Sequence, residues 1–104
     1  MRSGFIEEAA RLLVESRLSG KLVTRLPNES EPTSAAEAYA IQKAVLGQVG
    51  PLGAWKVGPM PGDSSVRFAP ILASTIFDSP ATLRSMRLTM MGIEAEVAFH
   101  ALPV

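Results

Sequence analysis

The fold class is decided between residues 34 and 58, where the chain reads SAAEAYAIQKAVLGQVGPLGAWKVG. Apolar residues recur at helical spacing in the first part, and Ser34 followed by Glu37 is the capping-box signature of a helix N-terminus. Gly50-Pro51 ends the helical pattern, and the next residues alternate in the manner of a strand. The stretch therefore predicts a helix over 34–49 and a strand over 54–58, which is an α+β arrangement.

The remaining segments extend this order of helices first and strands second. An amphipathic helix is predicted over 4–18, with Ser3 as its N-cap and Gly20 as its stop. Further along the chain, the pattern predicts a lid or binding loop at 59–63, a buried strand over 71–77 and a strand over 93–101.

A strand pattern is still running where the sequence stops, so we expect an incomplete single domain over 1–104. Its parts would be a helical region over 1–50 and the start of a β-rich region over 51–104.

Composition excludes several classes of function. The chain has 104 residues, 47% of them hydrophobic, with ten basic and ten acidic side chains and no cysteine. Zero net charge without a basic cluster argues against nucleic acid and anionic membranes as partners. The absence of cysteine excludes disulfides and thiolate metal sites. Glu7 and Glu8 interrupt the only N-terminal apolar stretch, so no signal peptide is expected. We therefore expect a cytoplasmic protein.

Two carboxylates stand two residues apart in an apolar run, Gly92-Ile93-Glu94-Ala95-Glu96-Val97-Ala98-Phe99. In a strand, Glu94, Glu96, Ala98 and His100 would share one face, and Ala95, Val97, Phe99 and Ala101 would share a core face. Like charges on one face repel unless a cation lies between them, and Mg²⁺ or Mn²⁺ prefers carboxylate oxygens. The alternative is a solvated strand face carrying two glutamates for solubility.

Lys56 is the second candidate residue, since it lies between the apolar Trp55 and Val57. Glycines at 53 and 58 would let a ligand approach the backbone beside it. Lys56 could neutralise a substrate carboxylate or an enolate, or donate a proton with a lowered pKa. From its position alone, a lysine on the solvated face of a strand is the favoured alternative. His100 could be a metal ligand, a base or a surface residue.

Three motifs of the chain occur in the same order in a known protein family. Ala38-Tyr39-Ala40-Ile41-Gln42, then Trp55-Lys56-Val57-Gly58, then residues 92–99 resemble the 2-keto-4-pentenoate hydratases of the fumarylacetoacetate hydrolase superfamily. The resemblance implies a fumarylacetoacetate-hydrolase-like mixed β fold and a hydro-lyase of aromatic-compound catabolism. Glu94 and Glu96 would match two of three carboxylates that hold Mg²⁺ or Mn²⁺, and Lys56 and Gly58 would line the pocket of a small 2-oxo acid.

The chain also departs from the family pattern. Pro59-Met60-Pro61 replaces a Leu-Thr-Ser stretch that hydratases commonly have, and Ile71 replaces an acidic residue. The reaction therefore stays open between hydration, decarboxylation of a 2-oxo acid and C–C hydrolysis of an acylpyruvate. A non-catalytic remnant is the alternative from another class. We expect the third metal carboxylate to lie beyond residue 104, and the complete protein to be a homo-oligomer.

Overall fold

The computed structural model describes residues 4–59, 61–84, 88, 90 and 92–101, and it shows a small α+β domain. Both predicted helices and the first predicted strand are confirmed. The finer expectation of a fumarylacetoacetate-hydrolase-like fold stays a prediction. In chain order the elements are helix α1 (Phe5–Ser19), a 3-10 turn (Asn28–Ser30), helix α2 (Ala35–Val49), strand β1 (Leu52–Pro59), strand β2 (Val66–Leu72) and a second 3-10 turn (Ala73–Thr75).

Helix α1 begins at a glycine in place of the predicted serine cap. Gly4 is the N-cap, with a left-handed φ of 74°, and no described side chain caps this helix. The predicted cap, Ser3, lies outside the described residues. Gly20 ends the helix as predicted, because its φ of 77° is a conformation that glycine adopts without a Cβ clash. Its N–H donates to the Ser16 carbonyl at 2.9 Å.

Helix α2 begins with a variant of the predicted capping box. The Ser34 hydroxyl accepts a hydrogen bond from the Glu37 N–H at 3.2 Å, as the signature requires. The Glu37 carboxylate accepts from the N–H and the hydroxyl of Thr33, at 2.7 and 2.8 Å, one residue before the cap. Gly50 ends the helix as predicted, and its N–H donates to the Leu46 carbonyl at 2.7 Å.

Strands β1 and β2 form a two-stranded antiparallel hairpin in which Lys56 pairs with Ala69. The connection turns at Gly62, which has a φ of 74°. The Asp63 carboxylate then accepts a hydrogen bond from the Ser65 N–H at 2.8 Å, a local interaction that favours a turn. The loop predicted over 59–63 overlaps the connection of this hairpin, although Pro59 belongs to β1 and Met60 lies outside the described residues. Its role as a lid or binding loop stays a prediction.

The second strand lies earlier in the chain than the sequence predicted. A strand over 71–77 was expected, but β2 ends at Leu72 and a 3-10 turn follows. The Thr75 hydroxyl donates to the Leu72 carbonyl at 2.8 Å, which caps the end of the strand. Pairing with β1 starts at the hairpin turn and sets where β2 lies. Pro70 is tolerated inside it because both strands of a two-stranded sheet are edge strands.

Aromatic contacts and a small apolar core join the helices to the hairpin. Tyr39 of α2 stacks on Phe68 of β2 with ring centroids 4.3 Å apart, and Trp55 of β1 meets the same ring edge-on at 5.6 Å. These contacts hold the hairpin against α2. The buried apolar side chains among the described residues are Ala9, Ala10, Val14, Ile41 and Leu72.

The strand predicted over 93–101 is wrong. Residues 92–101 lie outside any strand, and all of them are exposed. The expected core face contacts solvent instead, with Val97 at 86% and Phe99 at 94% exposure. A strand needs a neighbouring backbone to share its hydrogen bonds, and residues 92–101 pair with neither β1 nor β2. Alternation in the sequence indicates which side chains share a side, but it supplies no partner.

Candidate functional site

One surface cluster brings together Lys56, Glu94 and Glu96. Lys56 lies in the middle of β1, and the glutamates follow 38 and 40 residues later in the chain. The Lys56 ammonium donates to Glu94 Oε2 at 2.9 Å and also to Glu96 Oε1. Both carboxylates reach the same nitrogen, so they project toward the same side of their segment. That is the arrangement expected from alternation in an extended chain.

The cluster is open to solvent. The side chains of Lys56, Glu94 and Glu96 are 46%, 72% and 55% exposed. Water and salt screen ion pairs at such exposure, and they add little to the stability of a fold. The cluster is therefore interesting for what its charges can bind, more than for how they hold the domain together.

The two carboxylates keep Lys56 in its charged form. The pKa of Lys56 is raised, chiefly by its hydrogen bond to Glu96 and then by the bond to Glu94. The pKa of the Glu94 carboxyl is lowered, mainly by the hydrogen bond from Lys56. The sequence also left open that the pKa of Lys56 is lowered, an effect that burial of the side chain would cause. That expectation is wrong for this arrangement, because Lys56 is exposed and lies between two anions.

A shallow depression of about 250 Å³ adjoins Lys56. Gly58 lies on its wall, and a methyl group built on Gly58 would meet no atom within 4 Å. Sequence reasoning missed Arg67, which faces Gly58 across the hairpin and donates to the Ser65 hydroxyl at 2.7 Å. Only the strand register places this second cation beside Lys56. The other residues that line the depression are Gln42, Val57, Pro59, Phe68 and Ala69.

Gly53, the other glycine expected to admit a ligand, serves the packing of the chain itself. It is the extra residue of a β-bulge between Leu52 and Ala54. A Cβ on Gly53 would lie 2.6 Å from Ala73 Cα and 2.6 Å from Ile76 Cδ1. The chain itself fills the space that a side chain at residue 53 would occupy, so a ligand cannot approach the backbone from that direction.

A larger cleft of about 700 Å³ lies between α1, α2 and β2. Its walls are mostly apolar, and Arg17 is the charged residue among those described as lining it. Lys56, Glu94 and Glu96 are not part of it. The predicted residues therefore do not line the larger cleft, although Gln42 and Ala69 line both this cleft and the depression beside Lys56.

The cluster offers a partial set of ligands for the divalent ion that the sequence suggested. Among the described residues, no group of three or more His, Cys, Asp or Glu side chains is placed to hold a metal ion. Glu94 and Glu96 supply two carboxylates that converge on a single cation, the Lys56 ammonium. Carboxylate oxygens are the ligands that Mg²⁺ and Mn²⁺ prefer, so this pair fits as part of such a site. His100 is exposed in the same segment, and its role stays a prediction.

Comparisons of the chain with protein-family models, with curated proteins and with solved structures give no match. Within the part of the chain that the structure describes, no helix is long and apolar enough to cross a membrane. Any functional conclusion therefore depends on the residues of the cluster and on their geometry.

Proposed function

We propose that this chain is part of a metal-dependent hydratase that adds water to 2-oxo-4-enoic acids in aromatic-compound catabolism. The observation that supports the proposal is the convergence of Lys56, Glu94 and Glu96. These are the residues that the resemblance to 2-keto-4-pentenoate hydratases assigns to the site, and they come from segments far apart in the chain. A cytoplasmic location and assembly into a homo-oligomer belong to the same proposal.

Glu94 and Glu96 would hold Mg²⁺ or Mn²⁺ together with a third carboxylate from elsewhere in the protein. The bound ion would supply Lewis acidity toward the carboxylate and the 2-oxo oxygen of the substrate. Because each glutamate would provide a charged ligand in a site with few protein ligands, neither carboxylate could be spared.

Lys56 would hold the negative charge that develops when the substrate enolises. A fixed cation beside the oxygen that gains charge lowers the energy of an enolate-like transition state. A lysine ammonium with its ordinary pKa is already charged at neutral pH, so Lys56 can supply this cation. The open wall at Gly58 leaves room for a small 2-oxo acid next to Lys56, and Arg67 adds a guanidinium that can bind a carboxylate.

The test is substitution of each carboxylate in the complete protein. Glu94→Gln or Glu96→Gln should abolish Mg²⁺- or Mn²⁺-dependent hydration of 2-oxopent-4-enoate, followed by the decrease in absorbance of the conjugated substrate. Glu7→Gln, which changes an exposed carboxylate on α1, is the matched control and should leave the rate unchanged. Undiminished metal-dependent hydration in both site variants would contradict the assignment.

Product analysis separates the sister reactions. Release of carbon dioxide from a 2-oxo diacid would indicate the decarboxylase alternative. Formation of pyruvate and a carboxylic acid from an acylpyruvate would indicate the C–C hydrolase. The absence of all three reactions would favour the non-catalytic truncated remnant, in which the exposed cluster is a surface ion pair.

A further inference from the structure

In this structure the ammonium of Lys56 lies where a cation bound by both glutamates would lie. Its nitrogen is within hydrogen-bond distance of one oxygen from Glu94 and one from Glu96. A Mg²⁺ ion coordinated by carboxylates lies about 2.1 Å from each oxygen. An ion bound between the same two oxygens would lie about where the Lys56 nitrogen lies, and the two cations cannot occupy that position together.

The two cations also repel each other. A charge of +1 and a charge of +2 a few ångströms apart oppose each other even in water. The side chain of Lys56 can move, because it is about half exposed and carries its charge on a flexible four-carbon stem. Gly58 leaves open space beside β1 into which the ammonium can withdraw.

We propose that Lys56 is a built-in competitor for the divalent ion, which must displace the ammonium from Glu94 and Glu96 in order to bind. The proposal rests on the proposed function, because it takes the two glutamates as the ion's ligands. It adds a role for the lysine in the ion-free protein, where Lys56 neutralises the two carboxylates. Ion binding then releases the ammonium.

The experiment is a Mn²⁺ titration in which free Mn²⁺ is followed by electron paramagnetic resonance. Lys56→Met removes the charge and keeps much of the side-chain volume, so it should bind Mn²⁺ about tenfold more tightly than the wild type at low salt. Lys56→Arg keeps the charge and should bind like the wild type. Lys43→Met removes an exposed charge on α2 and is the matched control, expected to change nothing.

Equal or weaker Mn²⁺ binding in Lys56→Met would overturn the proposal. A second measurement uses the wild-type protein and so does not depend on how the variant folds. In a Mg²⁺ titration followed by nuclear magnetic resonance, the Lys56 side-chain signals and the carboxyl signals of Glu94 and Glu96 should shift with one dissociation constant. Carboxyl signals that shift while those of Lys56 stay still would also overturn it. Neither measurement uses turnover, so failure of the hydratase assay and failure of this inference are distinguishable.

Discussion

Replacing Gly53 by alanine tests whether this glycine is required by packing. A Cβ at Gly53 would lie 2.6 Å from Ala73 Cα, 2.6 Å from Ile76 Cδ1 and 2.9 Å from Ala73 N. Two of these three atoms are backbone atoms of the 3-10 turn, so the clash is relieved only by moving the chain. Overpacking of this kind costs about 1–3 kcal/mol. Reduced backbone freedom in the unfolded state offsets about 0.4–1 kcal/mol of that.

We therefore expect Gly53→Ala to lower the free energy of unfolding by about 1–2 kcal/mol. For a domain of this size, that corresponds to a fall in Tm on the order of 5–10 °C. Circular dichroism at 222 nm during thermal unfolding measures it.

The control is Gly47→Ala on α2, where a Cβ would meet no atom within 4 Å. It should stabilise the protein by about 0.5–1 kcal/mol, because alanine is the better helix former. If Gly53→Ala melted at or above the wild-type temperature, the close packing of β1 against the 3-10 turn would be refuted.

Three further predictions concern the cluster and the exposed segment. In the complete protein, Lys56→Ala should lower kcat about a hundredfold with a smaller effect on substrate binding, if the ammonium acts on the enolate-like transition state. An unchanged kcat with a raised KM would assign Lys56 to carboxylate binding. Because the pKa of Glu94 is lowered, its ion pair with Lys56 is fully favoured at pH values above the pKa of a free glutamate. The ion pair breaks as the pH falls through the lowered pKa of Glu94. Side-chain resonances of Lys56 recorded from neutral to acidic pH test this, and an ion pair that already breaks near neutral pH would contradict it. Residues 1–104 alone should bind Mg²⁺ weakly, lack hydration activity and associate through exposed side chains such as Val97 and Phe99, whereas a compact, active monomer on gel filtration would contradict this.

Local signals in the sequence were sufficient for the helices and for the first strand. The Ser34 cap, the Gly20 stop and the Gly50 end each act through interactions within a few residues, so the sequence contains all of the information that they need. The second strand was misplaced because its position depends on pairing with β1. The apolar run over 71–77 resembles a buried strand, but the hairpin turn sets the register, and β2 ends at Leu72, which pairs with Leu52 at the start of β1.

The sequence by itself determined that Glu94 and Glu96 project to the same side, because alternation is a property of any extended chain. Only the tertiary structure decided what neutralises them. It placed Lys56 between the two carboxylates, raised the pKa that the sequence allowed to fall, and brought Arg67 beside Lys56 through the hairpin register. It also left residues 92–101 without a strand partner. Interactions between segments some 40 residues apart depend on how the chain returns on itself, and no local spacing encodes that.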